Sequence, residues 1–119
     1  MYLPDTTIGS LIGKTLSSID VDTDIITFYI DGKPAFQSYH MQDCCERVEL
    51  KHTIGNISDI LESPIIHAYQ SEFDGPEPKY ADCYTWTMQA IQTEKGKVIF
   101  EWLGESNGYY SEKVYFGRI

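Results

Sequence analysis

The segment 40–47, HMQDCCER, gathers an imidazole, two adjacent thiols and two carboxylates. A metal site here would use His40, Asp43 and one of the cysteines, because imidazole and thiolate together suit Zn²⁺. Cys83 or His67 would have to complete the ligand set from elsewhere in the fold. The spacing matches no recognised zinc pattern, because adjacent cysteines rarely both reach one tetrahedral ion. We therefore predict no bound metal.

The two neighbouring thiols, Cys44 and Cys45, allow three other interpretations. A nucleophilic cysteine needs a nearby base, and His40 would have to approach it across a turn. A disulfide between the two neighbours is possible, although its geometry is strained. The simplest interpretation is that one cysteine packs inward as a small hydrophobe while Asp43 and Glu46 cap a turn. We favour this last interpretation and predict no catalytic residue.

The second cluster is the segment 102–112, WLGESNGYYSE. Asn107 and the glycine after it tolerate positive φ, which predicts a tight turn. Three rings flank that turn, those of Trp102, Tyr109 and Tyr110, and they need not all be buried. Exposed rings around an amide would hold a planar ligand or a partner side chain, because Tyr and Trp are frequent in contact surfaces. The sequence leaves two interpretations, a tight turn whose rings pack in the core and a contact surface, and the contact surface is our functional prediction for this turn.

Enzymatic chemistry has little support in the sequence. Glu105 and Glu112 resemble the carboxylate pair of a glycosidase, but nothing in the sequence fixes the separation that such chemistry requires. No phosphate-binding glycine motif and no nucleophile elbow is present. Phosphate binding would have to rest on Arg47, Arg118 and backbone amides. We predict no cofactor. The predicted binding residues are Trp102, Glu105, Asn107, Tyr109, Tyr110, Glu112, Asp43, Glu46 and Arg47.

These clusters must be positioned by a sheet. The β-branched and aromatic run 24–30 and the run 34–41 flank Asp31-Gly32, which is a strong hairpin signal. Further strands are predicted over 47–52, 65–73, 84–92, 97–103 and 112–118, with the last three forming an antiparallel meander and a final hairpin. A short helix is predicted after Asn56, with Asn56 or Ser58 as its N-cap. The expected class is α+β, a predominantly antiparallel sheet of about seven strands with one or two short helices.

Composition narrows the class of protein. The 119 residues suit one domain, 1–119, and the formal net charge is −9. Such acidity argues against direct nucleic-acid binding, which needs a basic stripe, and favours a basic partner surface. An odd count of three cysteines fits a reducing compartment, and no signal peptide or membrane-length apolar run is evident. We expect a cytoplasmic protein.

Two segments carry a resemblance, HMQDCCERVEL at 40–50 and WLGESNGYYSEKVYF at 102–116, and the segment ISDILESPI at 57–65 is similar too. The chain resembles a family of short phage and prophage proteins of unassigned function. The resemblance covers about the C-terminal two thirds and brings no established active site. It implies a phage accessory protein located in the host cytoplasm, and it suggests that 42–47 and 106–112 lie together in space.

Two functions follow as expectations. The first is a non-enzymatic counter-defence protein that blocks a host immune effector with an acidic, tyrosine-rich surface, in the manner of anti-CRISPR proteins. The second is a sponge that sequesters a nucleotide second messenger, in which aromatic rings stack a base and Arg47 or Arg118 meets phosphate. Such a sponge would often build its pocket between subunits, so a homo-oligomer is part of this second expectation.

Overall fold

The computed structural model describes residues 7–79 and 81–119. Within these ranges the chain forms two 3₁₀ turns, Ile8–Leu11 and Ile57–Ile60, and eight strands. The strands are β1 (Ser18–Val21), β2 (Ile25–Ile30), β3 (Lys33–Tyr39), β4 (Arg47–Ile54), β5 (His67–Phe73), β6 (Cys83–Thr93), β7 (Gly96–Ser106) and β8 (Tyr115–Arg118).

The strands form two antiparallel sheets of four. The first sheet has the order β1-β2-β3-β8, and the second has the order β4-β7-β6-β5. The hairpin between β2 and β3 turns at Asp31 (φ 54°) and Gly32 (φ 76°), as the Asp-Gly signal predicts. The hairpin between β6 and β7 is the longest, with Thr93 paired to Gly96 at its tip and Cys83 paired to Ser106 at its open end.

The two sheets pack face to face around one apolar core. Period-two alternation directs Val98, Phe100 and Trp102 of β7 inward, where all three are fully buried. Phe28 of the first sheet meets the Phe100 ring edge-on, with 6.5 Å between the centroids. Throughout, we call the face of each sheet that looks toward the other sheet its inner face.

The second sheet also has a partly covered outer face. Trp86 lies there with only 6% of its surface exposed, and its Nε1 donates to the carbonyl oxygen of Pro76 at 2.9 Å. The His52 ring stacks parallel to the Trp86 ring, with 6.0 Å between the centroids. The loop that follows β5 therefore closes over this end of the outer face.

Two expectations about the fold are corrected. The class is mostly antiparallel β, because the described residues contain only two isolated 3₁₀ turns where short helices were predicted. Asn56 caps the second of these turns, since its Oδ1 accepts from the backbone N–H of Ser58. The predicted final hairpin is also wrong, because β8 crosses to the first sheet and pairs with β3, not with β7. Within the described residues, no helix is long and apolar enough to cross a membrane.

Candidate functional site

The segment 107–114, between β7 and β8, folds back over the inner face of the second sheet. It lies there because Gly104 leaves room, since a Cβ on Gly104 would stand 2.7 Å from the Cβ of Glu112. The Glu112 carboxylate accepts from the Thr85 hydroxyl at 2.6 Å and from the Ser106 hydroxyl. Glu112 therefore holds the segment 107–114, hereafter the returning segment, against the ends of β6 and β7.

The paired tyrosines lie at the tip of this segment. Tyr109 is 84% exposed, while Tyr110 is half-buried and packs edge-on against it, with 5.1 Å between the ring centroids. The Asn107 Oδ1 accepts from the backbone N–H of Tyr109 at 2.9 Å, and Gly108 takes φ 88°. The turn therefore presents one aromatic ring to solvent from a locally hydrogen-bonded base.

The neighbouring segment, 41–46, is organised by a buried carboxylate. Glu46 accepts from the His40 Nε2 at 2.8 Å and from the backbone N–H groups of Asp43 and Cys44, both at 2.9 Å. The Gln42 amide lies 3.3 Å from the same carboxylate. Burial alone would raise the pKa of the Glu46 carboxyl, but the hydrogen bonds from His40, Cys44 and Asp43 outweigh burial and lower that pKa to about 2.

His40 joins the two segments. Its Nδ1 lies 2.7 Å from the backbone carbonyl oxygen of Lys113, and its Nε2 faces Glu46. Each ring nitrogen therefore lies at hydrogen-bond distance from one oxygen, one on each segment. The His40 ring therefore ties the segment 41–46 to the segment that enters β8.

A buried relay of amides supports the returning segment from below. The Trp102 Nε1 donates to the Gln89 Oε1 at 3.0 Å, and the Gln89 Nε2 donates to the Gln70 Oε1 at 2.9 Å. The Gln70 Nε2 then donates to the backbone carbonyl oxygen of Val114 at 3.0 Å. This relay crosses three strands and ends on the backbone of the returning segment, so the core of the sheet fixes the position of that segment.

The structure brings the two predicted segments to one end of the second sheet. In the strand register, Arg47 of β4 lies opposite Glu105 of β7, and Glu105 lies opposite Tyr84 of β6. The Arg47 Nε lies 3.2 Å from the Glu49 carboxylate, so this guanidinium is engaged along its own strand. Asp43 is exposed near the start of that strand.

Two of the predicted binding residues are buried and have structural roles. Trp102 is fully buried, so its ring packs in the core and cannot contact a surface ligand. Glu46 is 4% exposed, and its carboxylate accepts hydrogen bonds from within the segment 41–46. The inward-packing cysteine was wrong, because Cys44 and Cys45 are both exposed and are joined to each other by a disulfide. Cys83 is a free, exposed thiol.

The sequence interpretation missed the polar floor beneath the site. This floor is formed by Thr85 and Gln89 of β6 and by Gln70 of β5, whose polar side chains all face inward. The available signal was alternation, because period two places Thr85, Thr87 and Gln89 on the same face of one strand. Over residues 7–79 and 81–119, no group of three or more His, Cys, Asp or Glu side chains is placed to hold a metal ion.

A comparison with protein families gives one match. The model of a domain of unknown function, DUF7448, matches residues 9–116, which include the returning segment, the Glu46 carboxylate and the amide relay. No curated protein and no solved structure matches the chain. The chain belongs to the DUF7448 family.

Proposed function

We propose that the protein is a non-enzymatic binding protein that contacts a basic protein surface with the acidic, tyrosine-bearing end of its second sheet. The observation that carries the proposal is the 84% exposure of Tyr109 on a turn whose base is fixed by Glu112 and Asn107. A ring presented on a fixed base loses little conformational entropy on binding, which is why Tyr is frequent in contact surfaces. Tyr109 is the anchor of the proposed interface.

Charge supports a basic partner. The chain carries a formal net charge of −9, and the carboxylates of Asp43, Asp82 and Glu105 lie at the same end of the sheet as Tyr109. Complementary charge across an interface speeds encounter and excludes wrong partners. Arg47, at this end, is paired with Glu49, so its charge is partly compensated.

The cysteines and the histidine of the segment 40–46 already have partners within the chain. Among the described residues of the segment 40–46, Cys44 and Cys45 are bonded to each other. His40 directs both ring nitrogens to Glu46 and Lys113. A thiol–imidazole pair of the kind that activates a catalytic cysteine is therefore not set up there.

The finer proposal is a counter-defence role in which the partner is a host immune effector. It rests on the resemblance of 40–50 and 102–116 to phage proteins, together with the acidity of the chain. An effector that handles nucleic acid would offer the basic groove that carboxylates on a rigid sheet can occupy.

The nucleotide sponge is the second proposal and has weaker geometric support. Tyr109 and Tyr110 remain able to stack a base, but the Trp102 ring is buried. Arg118 ends β8 opposite Phe36, while Tyr115 begins β8 opposite Tyr39, the residue before His40. Arg118 lies at the far end of that strand from the turn 107–110, hereafter the tyrosine turn, so of the two arginines only Arg47 is placed for a phosphate contact there.

The experiment is a comparative affinity capture from host-cell lysate with wild-type, Tyr109→Ala and Tyr69→Ala baits. Tyr69 is the matched control, since it is 46% exposed but lies on β5, away from the tyrosine turn. We expect wild type and Tyr69→Ala to recover the same basic defence protein and Tyr109→Ala to lose it. Recovery of the same proteins by all three baits, or of no defence protein by any, would remove the proposal.

A further inference from the structure

We propose that a groove beside the tyrosine turn, between Glu72 and Glu112 with Thr85 and Thr87 as its floor, binds a cationic side chain, a guanidinium or an ammonium group. The inference deepens the proposed function and rests on it in naming the source of the cation, which would be an arginine or lysine of the basic partner. The groove itself is defined by the structure and can be tested with small probes alone.

The groove is built by the inner face of the second sheet and by the returning segment. It has a volume of about 450 Å³ and opens between β5 and residues 111–114. Glu72 of β5 pairs directly with Thr87 of β6, so their side chains are neighbours on the same face. On the other side, Glu112 is held in place by the Thr85 hydroxyl. Two carboxylates therefore flank a floor of hydroxyl groups.

Thr87 points to a ligand independently of the carboxylates. It is 4% exposed and lines the groove. Within residues 7–79 and 81–119 its hydroxyl makes no hydrogen bond to another residue, although neighbouring inward polar groups such as Gln70, Thr85 and Gln89 are all bonded. Among the described residues, the buried hydroxyls that lack a partner belong to Ser38 and Ser63, so the Thr87 oxygen is the part of this enclosed side chain that faces the groove, where a donor from a bound ligand would pair with it.

The charge of the walls selects a cation. Glu72 forms no ion pair or hydrogen bond with the described part of the chain. Lys113 also lines the groove, but its Nζ lies 4.8 Å from the centroid of the Tyr115 ring, which engages the ammonium on β8. An anion would meet the carboxylates of Glu72 and Glu112, whereas a group with several N–H donors would find acceptors on both walls and on the floor.

The position of the groove links it to the tyrosine turn. Glu112, which forms one wall, is three residues from Tyr109 and pins the turn that carries it. A partner that covers the Tyr109 ring would therefore pass over the mouth of the groove. An arginine or lysine on that partner has the length to reach the floor while its backbone remains at the surface.

The test is an NMR titration of the isotopically labelled protein with N-acetyl-arginine methylamide and, separately, N-acetyl-lysine methylamide. N-acetyl-glutamine methylamide is the neutral control probe. We expect saturable shifts of the Glu72, Thr85 and Thr87 amide signals with the cationic probes and none with the neutral one. Stronger binding of the arginine probe would assign a guanidinium, and stronger binding of the lysine probe would assign an ammonium.

Three variants locate the site. Glu72→Gln should weaken probe binding about three- to tenfold, and Thr87→Val, which preserves side-chain shape, about two- to tenfold. Glu94→Gln removes an exposed carboxylate from the far end of the sheet and should leave binding unchanged. Equal binding of the glutamine probe, equal losses in Glu72→Gln and Glu94→Gln, or no saturable shift at tens of millimolar would overturn the proposal. Because no partner protein is needed, this outcome is independent of the affinity capture.

Discussion

Replacement of Glu46 by Gln tests the organisation of the segment 41–46. One carboxylate oxygen accepts from His40 Nε2 and the Asp43 N–H, and the other accepts from the Cys44 N–H and the Gln42 amide. A glutamine of the same shape keeps one acceptor oxygen but turns an NH₂ group toward two donors. Two hydrogen bonds to a charged group are lost, because the NH₂ group faces two donors whichever way the amide lies.

The expected loss of unfolding free energy for Glu46→Gln is about 3–5 kcal/mol, the range for removing one partner of a buried pair. With a urea slope of about 1.5 kcal/mol per molar for a domain of this size, the unfolding midpoint should fall by about 2–3 M. Glu49→Gln is the matched control on β4, because the Glu49 side chain is 30% exposed and its ion pairs within residues 7–79 and 81–119 are with the exposed Arg47 and Lys51. This control should change stability by less than about 0.5 kcal/mol.

The difference in stability between wild type and Glu46→Gln should change with pH in a definite direction. The pKa of Glu46 is lowered from 4.5 to about 2 in the folded protein, so its stabilisation is complete above about pH 4.5. That stabilisation is lost as the pH falls from 4.5 toward 2, because the unfolded chain then binds the proton first. The gap in urea midpoint between wild type and Glu46→Gln should therefore narrow across this interval. A gap no larger than that of Glu49→Gln at pH 7, or one that widens on acidification, would refute the reasoning.

Three further predictions concern the supports of the site. Gly104→Ala places a methyl group against Glu112 and should lower stability by about 1–3 kcal/mol while increasing amide exchange in 107–114, whereas unchanged exchange would show that Gly104 does not seat this segment. Gln89→Leu leaves the Trp102 Nε1 unpaired in the core and should cost about 1–3 kcal/mol in chemical unfolding with a shift in tryptophan fluorescence, and a neutral effect would refute the amide relay. Asn56→Ala removes the cap of the second 3₁₀ turn and should lower the unfolding free energy by about 1 kcal/mol in thermal denaturation, a loss that Asn56→Asp should largely restore.

Local signals predicted much of the sheet. A two-residue hairpin turn requires positive φ at both central positions, and Asp31 and Gly32 both adopt it. This hairpin was therefore predictable from the residues alone. The pairing of the strand near 84–92 with the strand near 97–103 follows in the same way from alternation on both sides of a short turn. The crossing of β8 to the first sheet does not follow, because a strand has the same alternation whichever sheet it joins.

Burial at the site was partly predictable. Trp102 follows Val98 and Phe100 at period two, so its inward direction was present in the sequence, although its nearness to the exposed turn favoured the opposite interpretation. The burial of Glu46 was not predictable, since three of its donors are a histidine six residues earlier and two backbone N–H groups. Only the folded path of the segment 41–46 brings those donors around one carboxylate.

The central claim is that Tyr109 anchors a contact with a basic protein. The most direct measurement is site-specific photo-crosslinking in host-cell lysate with benzoylphenylalanine at position 109, and at position 69 as the exposed control. The account predicts a defined adduct with one basic protein from position 109 that weakens as salt screens the carboxylates, and no such adduct from position 69. Identical adducts from both positions, or none from position 109, would contradict it.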